Sequence, residues 1–154
     1  MSYPTVGEPA PPFELRNDAD ETVSTADLAG RRWVLYFYPK DDTPGCTTQA
    51  CSMRDNFERV IERGIEVYGI SPDSVKSHAR FRAKYDLPYH LLADEGHRIA
   101  DAYGTWIEKS FMGRTYMGVE RTSFVIGPDG RIERVLPKVK PAEHVDLLLE
   151  ATAA

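Results

Sequence analysis

The sequence predicts an α/β fold: a central mixed β-sheet flanked by helices, with an N-terminal β-hairpin. Two observations carry this reading. Short apolar, β-branched and aromatic runs (Trp33 to Tyr38, Ile65 to Ile70, His90 to Ala93) alternate with stretches of helical spacing, the pattern of parallel strands joined by helices. Near the end, Thr122 to Ile126, the turn Gly127-Pro128-Asp129-Gly130 and Arg131 to Leu136 form a hairpin, which adds an antiparallel pair. With 154 residues, no internal repeat and no linker, one domain is expected over 1–154.

Taken in order, Met1 to Pro12 carries four prolines and reads as an extended lead-in. Phe13 to Arg16 and Glu21 to Val23 flank the turn cluster Asn17 to Asp20, giving the small hairpin. Ser24 or Thr25 can cap a short helix that ends at Gly30. The apolar strand follows and stops at Pro39. Lys40-Asp41-Asp42 is a polar loop, and Thr43-Pro44-Gly45 opens a helix, with Thr43 as N-cap and Pro44 at the first position. Phe57, Val60 and Ile61 continue the helical spacing to about Arg63, before Gly64. After the Ile65 to Ile70 strand, a helix from Ser71-Pro72-Asp73-Ser74 runs to about Tyr85. Asp94 is expected to cap a helix from Glu95 to Tyr103. After Trp106 comes a polar, Gly-containing segment to Gly118. Pro141 opens a last helix with Val145, Leu148 and Leu149 inward.

Composition excludes several classes. A net charge of −5 and a pI near 5.4 argue against a nucleic-acid surface. The longest apolar run is far short of a membrane span, and no basic segment followed by an apolar one marks a secretory signal. A metal site is poorly supported. There is no C-x2-C, and His78, His90, His97 and His144 lack ligand spacing, so each reads as a surface or half-buried side chain. The two cysteines, Cys46 and Cys51, are too few for a disulfide scaffold, and in a cytoplasmic setting, the default here, such a pair is catalytic or redox-sensing.

Cys46 falls at the third helical position after the Thr43 cap. Unpaired backbone N–H groups and the positive helix end surround a thiol there, the setting that lowers a cysteine pKa and makes the sulfur nucleophilic. Cys51 lies five residues on. On an intact helix the two are about 140° apart around the axis, with Cα atoms roughly 8–9 Å apart. A disulfide needs roughly 4.4–6.8 Å. Either the pair never bonds, or bonding requires the helix to unwind between Thr47 and Ala50.

The run from Pro39 to Cys51, PKDDTPGCTTQAC, resembles the peroxiredoxins through their P-x3-T-x2-C motif. The TPGCT-x-QAC segment followed by Arg54-Asp55 is similar to the Q, or bacterioferritin comigratory protein, type. Ser71 to Ser74, Lys109 to Gly113 with Tyr116 to Gly118, and Glu120 to Ile126 also resemble segments of that type. The resemblance implies a thioredoxin-like fold and reduction of hydrogen peroxide and organic hydroperoxides without metal or organic cofactor. It makes Cys46 the peroxidatic cysteine and Cys51 the resolving one, joined in an intramolecular disulfide that thioredoxin or a similar reductant recycles. Thr43, Pro39 and a strand arginine, Arg121, match the remaining catalytic positions. Gln49, near that arginine, and Gly45 are placed at the substrate. Antioxidant defence, a cytoplasmic location and a monomer or weak dimer are the corresponding expectations.

The residue types suit the chemistry. A thiolate that attacks an O–O bond pushes charge onto the leaving oxygen, and a guanidinium with a Thr hydroxyl can meet that charge. Trp33, Tyr36, Phe37 and Tyr38 read as core, Trp106 and Phe111 as candidate pocket walls, and Arg54 as a partner for Asp55 or Glu58. Neither a Gly-Gly-Leu-Gly insertion nor a C-terminal Tyr-Phe helix is present, so resistance to sulfinic acid formation is expected.

Overall fold

The computed structural model describes residues 3–152. Strands are β1 (Glu14–Asn17), β2 (Thr22–Ser24), β3 (Arg32–Phe37), β4 (Ile65–Ser71), β5 (His90–Ala93), β6 (Trp106–Phe111), β7 (Arg114–Val119), β8 (Thr122–Ile126) and β9 (Ile132–Leu136). Helices are α1 (Pro44–Asp55), α2 (Phe57–Ile61), α3 (Val75–Tyr85), α4 (Arg98–Ala102) and α5 (His144–Ala151). A seven-stranded sheet runs in the order β2-β1-β5-β4-β3-β8-β9. β3 pairs parallel to β4 and antiparallel to β8, and β4 pairs parallel to β5, so the sheet is mixed as expected.

β3 lies in the interior of the sheet, between β4 and β8, and both its faces are apolar. Val34, Tyr36 and Tyr38 point into one core with Ala50, Met53 and Leu148 from α1 and α5. Trp33, Leu35 and Phe37 point into the other with Ile99, Ala100 and Tyr103. This is the two-residue period of a strand covered on both sides, and each fully buried large side chain contributes about 1.5–3 kcal/mol. The expected aromatic core is confirmed, and so is the inward set Val145, Leu148 and Leu149.

Several boundaries differ from expectation, each for a local reason. Ser24 is the cap, in a reciprocal box with Asp27, but the helical turn is 3-10 and ends at Leu28. The predicted helix to Arg63 breaks at Asn56, whose side-chain amide donates to the Ser52 carbonyl at 2.8 Å, so α1 and α2 are separate. α4 starts later than Glu95 because Gly96 and His97 are left-handed (φ 84° and 53°). His97, not Asp94, takes the N-cap position, although the Asp94 carboxylate still reaches the first turn, accepting from the Ile99 and Ala100 N–H groups at 3.1 and 2.9 Å. Residues 7–10 of the lead-in bond alongside β9 through Gly7, Glu8 and Ala10; Met1 and Ser2 lie outside the described residues.

Trp106 to Gly118 is a two-stranded hairpin, β6 with β7, turning at Met112 and Gly113 (φ 50° and 78°). Positive φ at both turn residues matches the twist of the flanking strands.

Candidate active site

The α1 N-terminus follows β3 after a short loop that is heavily anchored. Asp41 accepts from Tyr38 Oη at 2.6 Å and Ser77 Oγ at 2.8 Å, and lies 2.7 Å from His78 Nδ1. Its N–H donates to the Asp73 carboxylate at 2.8 Å, while His78 Nε2 meets the Leu92 carbonyl at 2.9 Å. Asp41, Asp73 and His78 thus cluster closely, with both Asp41 carboxylate oxygens, both His78 ring nitrogens and one Asp73 oxygen engaged in hydrogen bonds. Asp42 takes a left-handed backbone (φ 55°), and its carboxylate holds Lys84 Nζ and Tyr85 Oη at 2.7 and 2.8 Å.

Thr43 occupies the N-cap position with extended backbone, yet its side chain does not cap. Its hydroxyl donates to the Lys40 carbonyl at 2.8 Å instead. That corrects the side-chain capping role expected for Thr43. Pro39 sits half-buried between β3 and the loop.

Cys46 is the third residue of α1, as predicted, and is 2% exposed. Both terminal nitrogens of Arg121 lie 3.4 Å from its Sγ. Arg121 is not within a strand but immediately precedes β8; its carbonyl accepts from the Val139 N–H at 2.7 Å. A guanidinium held in this way faces the sulfur with a fork of donors that stabilises negative charge there. Gly45 makes room for it, because a Cβ at that position would stand 3.1 Å from Arg121 Nη2.

Gln49, fully buried, accepts from Arg121 Nη1 through Oε1 at 2.6 Å. Its Nε2 lies 3.1 Å from His144 Nδ1, and His144 Nε2 lies 2.7 Å from Ser123 Oγ. His144 and His78 are each 0% exposed, which overturns the surface or half-buried reading for both. Burial first, and the Arg121 charge second, push the His144 pKa down to about 3. No local motif announces His144 or Ser123. They stand 95 and 74 residues from Gln49 in the chain. A second cation, half-buried Lys109 on β6, shares the neighbourhood; burial and then Arg121 lower its pKa, while Cys46 and Glu120 act the other way.

Cys51 lies on the same helix, half-buried, and both thiols are free. Arg54 bonds Asp55 at 2.9 Å and the Tyr85 carbonyl at 2.7 Å, the structural role considered for it. Trp106 stacks on His97 at 3.8 Å, and Phe111 is 67% exposed at the hairpin end, so neither forms a pocket wall at Cys46. A surface hollow of about 750 Å³ lies at the far end of β3, beside Arg32 and Glu133, away from Cys46.

Comparison with known proteins gives the family. The AhpC/TSA family model matches residues 6–135. Putative peroxiredoxin bcp of Coxiella burnetii is 48% identical over 140 residues, covering 91% of this chain and 93% of that protein. Peroxiredoxin Bcp of Escherichia coli is 46% identical, covering 93% and 92%. Among solved structures, a Xylella fastidiosa PrxQ mutant superposes with a TM-score of 0.91 at 30% identity, over 99% and 98% of the two chains. The bacterioferritin comigratory protein of Xanthomonas campestris, described for its alkyl peroxide reduction activity, superposes at 0.85 with 34% identity, over 91% and 89%. The helix-borne Cys46 with its facing arginine, the thioredoxin-like sheet around them and these likenesses coincide, and the chain belongs to the AhpC/TSA family, among the peroxiredoxins.

Proposed function

We propose that Cys46 is the peroxidatic cysteine of this peroxiredoxin and Cys51 its resolving partner. The observation that carries this reading is the Arg121 fork 3.4 Å from Cys46 Sγ in the first turn of α1. The Cys46 thiolate attacks one oxygen of the hydroperoxide, the O–O bond breaks, and the other oxygen leaves with the electron pair. That oxygen takes a proton and departs as an alcohol or water; the sulfur, oxidised by two electrons, holds the transferred oxygen as a sulfenic acid. Arg121 meets the charge on sulfur before attack and on the oxygens during it. Thr43, whose proton is given to the Lys40 carbonyl, acts as an acceptor for the peroxide O–H, and Pro39 screens the sulfur from water.

Cys51 then attacks the sulfenic sulfur, forms the S–S bond and releases water. Both cysteines lie on α1, where roughly 8–9 Å between Cα atoms forbids the bond, so α1 unwinds between them first. An external dithiol of the thioredoxin kind restores both thiols and is itself oxidised to a disulfide. Hydrogen peroxide and organic hydroperoxides are the substrates; the alkyl peroxide activity of the Xanthomonas relative supports the second class. The protein acts as a monomer or weak dimer in the cytoplasm, in antioxidant defence.

The test is NADPH consumption coupled through thioredoxin reductase and thioredoxin. Wild type turns over continuously, Cys46→Ser is inactive, and Cys51→Ser consumes a single equivalent of peroxide. Activity retained in Cys46→Ser overturns the assignment; a single equivalent consumed by wild type would instead mark a stoichiometric redox sensor.

A further inference from the structure

We propose that His144 and Ser123 are positioning residues that orient the Gln49 amide and, through it, aim the Arg121 guanidinium at Cys46. The proposal rests on the reading of Cys46 as the attacking thiolate.

The hydrogen bonds leave one consistent assignment. Arginine only donates, so Gln49 must turn its carbonyl oxygen to Arg121 Nη1, 2.6 Å away. Its NH2 then faces His144 Nδ1 at 3.1 Å, and that nitrogen must be a bare acceptor. The ring proton therefore sits on Nε2 and is donated to Ser123 Oγ at 2.7 Å. All three side chains are buried, so a flipped amide would set NH2 against a guanidinium with no water to relieve it. The neutral state that burial and Arg121 impose on His144 agrees with this assignment. The ring is also packed against Tyr36, with centroids 5.2 Å apart.

The chain of contacts joins three elements. Ser123 is on β8, two residues past Arg121; His144 opens α5; Gln49 is on α1. Arg121 is thereby tied to the helix that carries its target. Once α1 unwinds, Gln49 leaves the set and the guanidinium loses its guide. Attack geometry exists only while the helix is formed.

A double-mutant cycle tests this, read as the single-turnover rate constant for Cys46 oxidation by hydrogen peroxide. His144→Phe should lower it about tenfold or more, because a small misplacement of a charge-stabilising group is costly. His144→Asn, whose amide oxygen can replace Nδ1 as acceptor, should recover most of the loss. In a Gln49→Ala background, His144→Phe should cost less than about twofold more. A purely structural role predicts the same factor in both backgrounds, and that result, or an unimpaired His144→Phe enzyme, overturns the proposal. Should the Phe variant not fold, the wild-type ring ¹⁵N resonances decide: a proton on Nε2 supports the assignment and one on Nδ1 overturns it. A wild type inert to peroxide would count against the peroxidase reading alone, since the tautomer measurement does not depend on it.

Discussion

Cys46 and Cys51 share a side chain and a helix but almost nothing else. Cys46 is 2% exposed, faces two guanidinium nitrogens, and rests on a hydrogen-bonded set that reaches α5 and β8. Cys51 is half-buried, and among the described residues no side-chain donor is directed at its sulfur. The difference shows that position on the helix, rather than the thiol itself, sets the surroundings of each sulfur. One sulfur faces a fixed cation, the setting of the attacking thiolate proposed above. The other has no such partner, as suits the resolving role proposed for it.

The largest test of that contrast is Arg121→Ala. Losing a preorganised donor to a developing charge should cut the rate of Cys46 oxidation by about 10²–10³-fold. The rate at which Cys51 captures a preformed sulfenic acid should change little. Stopped-flow measurement of the two phases separates them, and equal losses in both would remove the distinction.

Acid offers the next test. His144 is held neutral, its pKa depressed to about 3 from an ordinary value of 6.5. The folded state binds fewer protons than the unfolded one between those values, so stability is complete above about pH 6.5 and is lost as pH falls toward 3. The contribution is of order several kcal/mol. Urea midpoints from pH 7 to pH 4 should fall more steeply for wild type than for His144→Asn; parallel curves would refute this.

Gly45→Ala should be smaller and more selective. The new Cβ would stand 3.1 Å from Arg121 Nη2, so the guanidinium must shift, and about a tenfold loss in peroxide reactivity is expected. Stability should not fall, because Ala is the better helix former by up to about 1 kcal/mol. A lower melting temperature would mean a general clash instead.

Smallest is Thr48→Ala, which removes a side-chain bond to the Pro44 carbonyl at 3.0 Å and raises helix propensity by about 0.5 kcal/mol. It should slow disulfide formation about twofold, leave the first oxidation unchanged, and raise the yield of sulfinic acid measured by mass spectrometry.

The two cysteine environments were unequally legible. The position of Cys46 in the first turn could be read from Thr43-Pro44-Gly45, because backbone chemistry at a helix start is local. The strand β3, interior to the sheet, could be read because Trp33 to Phe37 is apolar on both faces. The hairpin of β6 and β7 was missed, since much of it is solvent-exposed and its side chains show no clean alternation. The break at Asn56 was missed because a single side-chain bond to Ser52 decides it, against favourable spacing on both sides. His144 was misjudged since its burial depends on Gln49 and Ser123, which only the fold brings to it. The hydroxyl of Thr43 chose a loop carbonyl over the helix N–H groups, a competition that propensity cannot rank.

The interruption at Asn56 has a mechanical consequence. Val60 on α2 is wholly buried in the core beside β3 and β4, whereas α1 ends before it. A conformational opening that begins near Thr47 therefore meets a natural firebreak one turn beyond Cys51. The unwinding proposed for the resolving step can then lift part of α1 while α2 keeps its hold on the core through Val60.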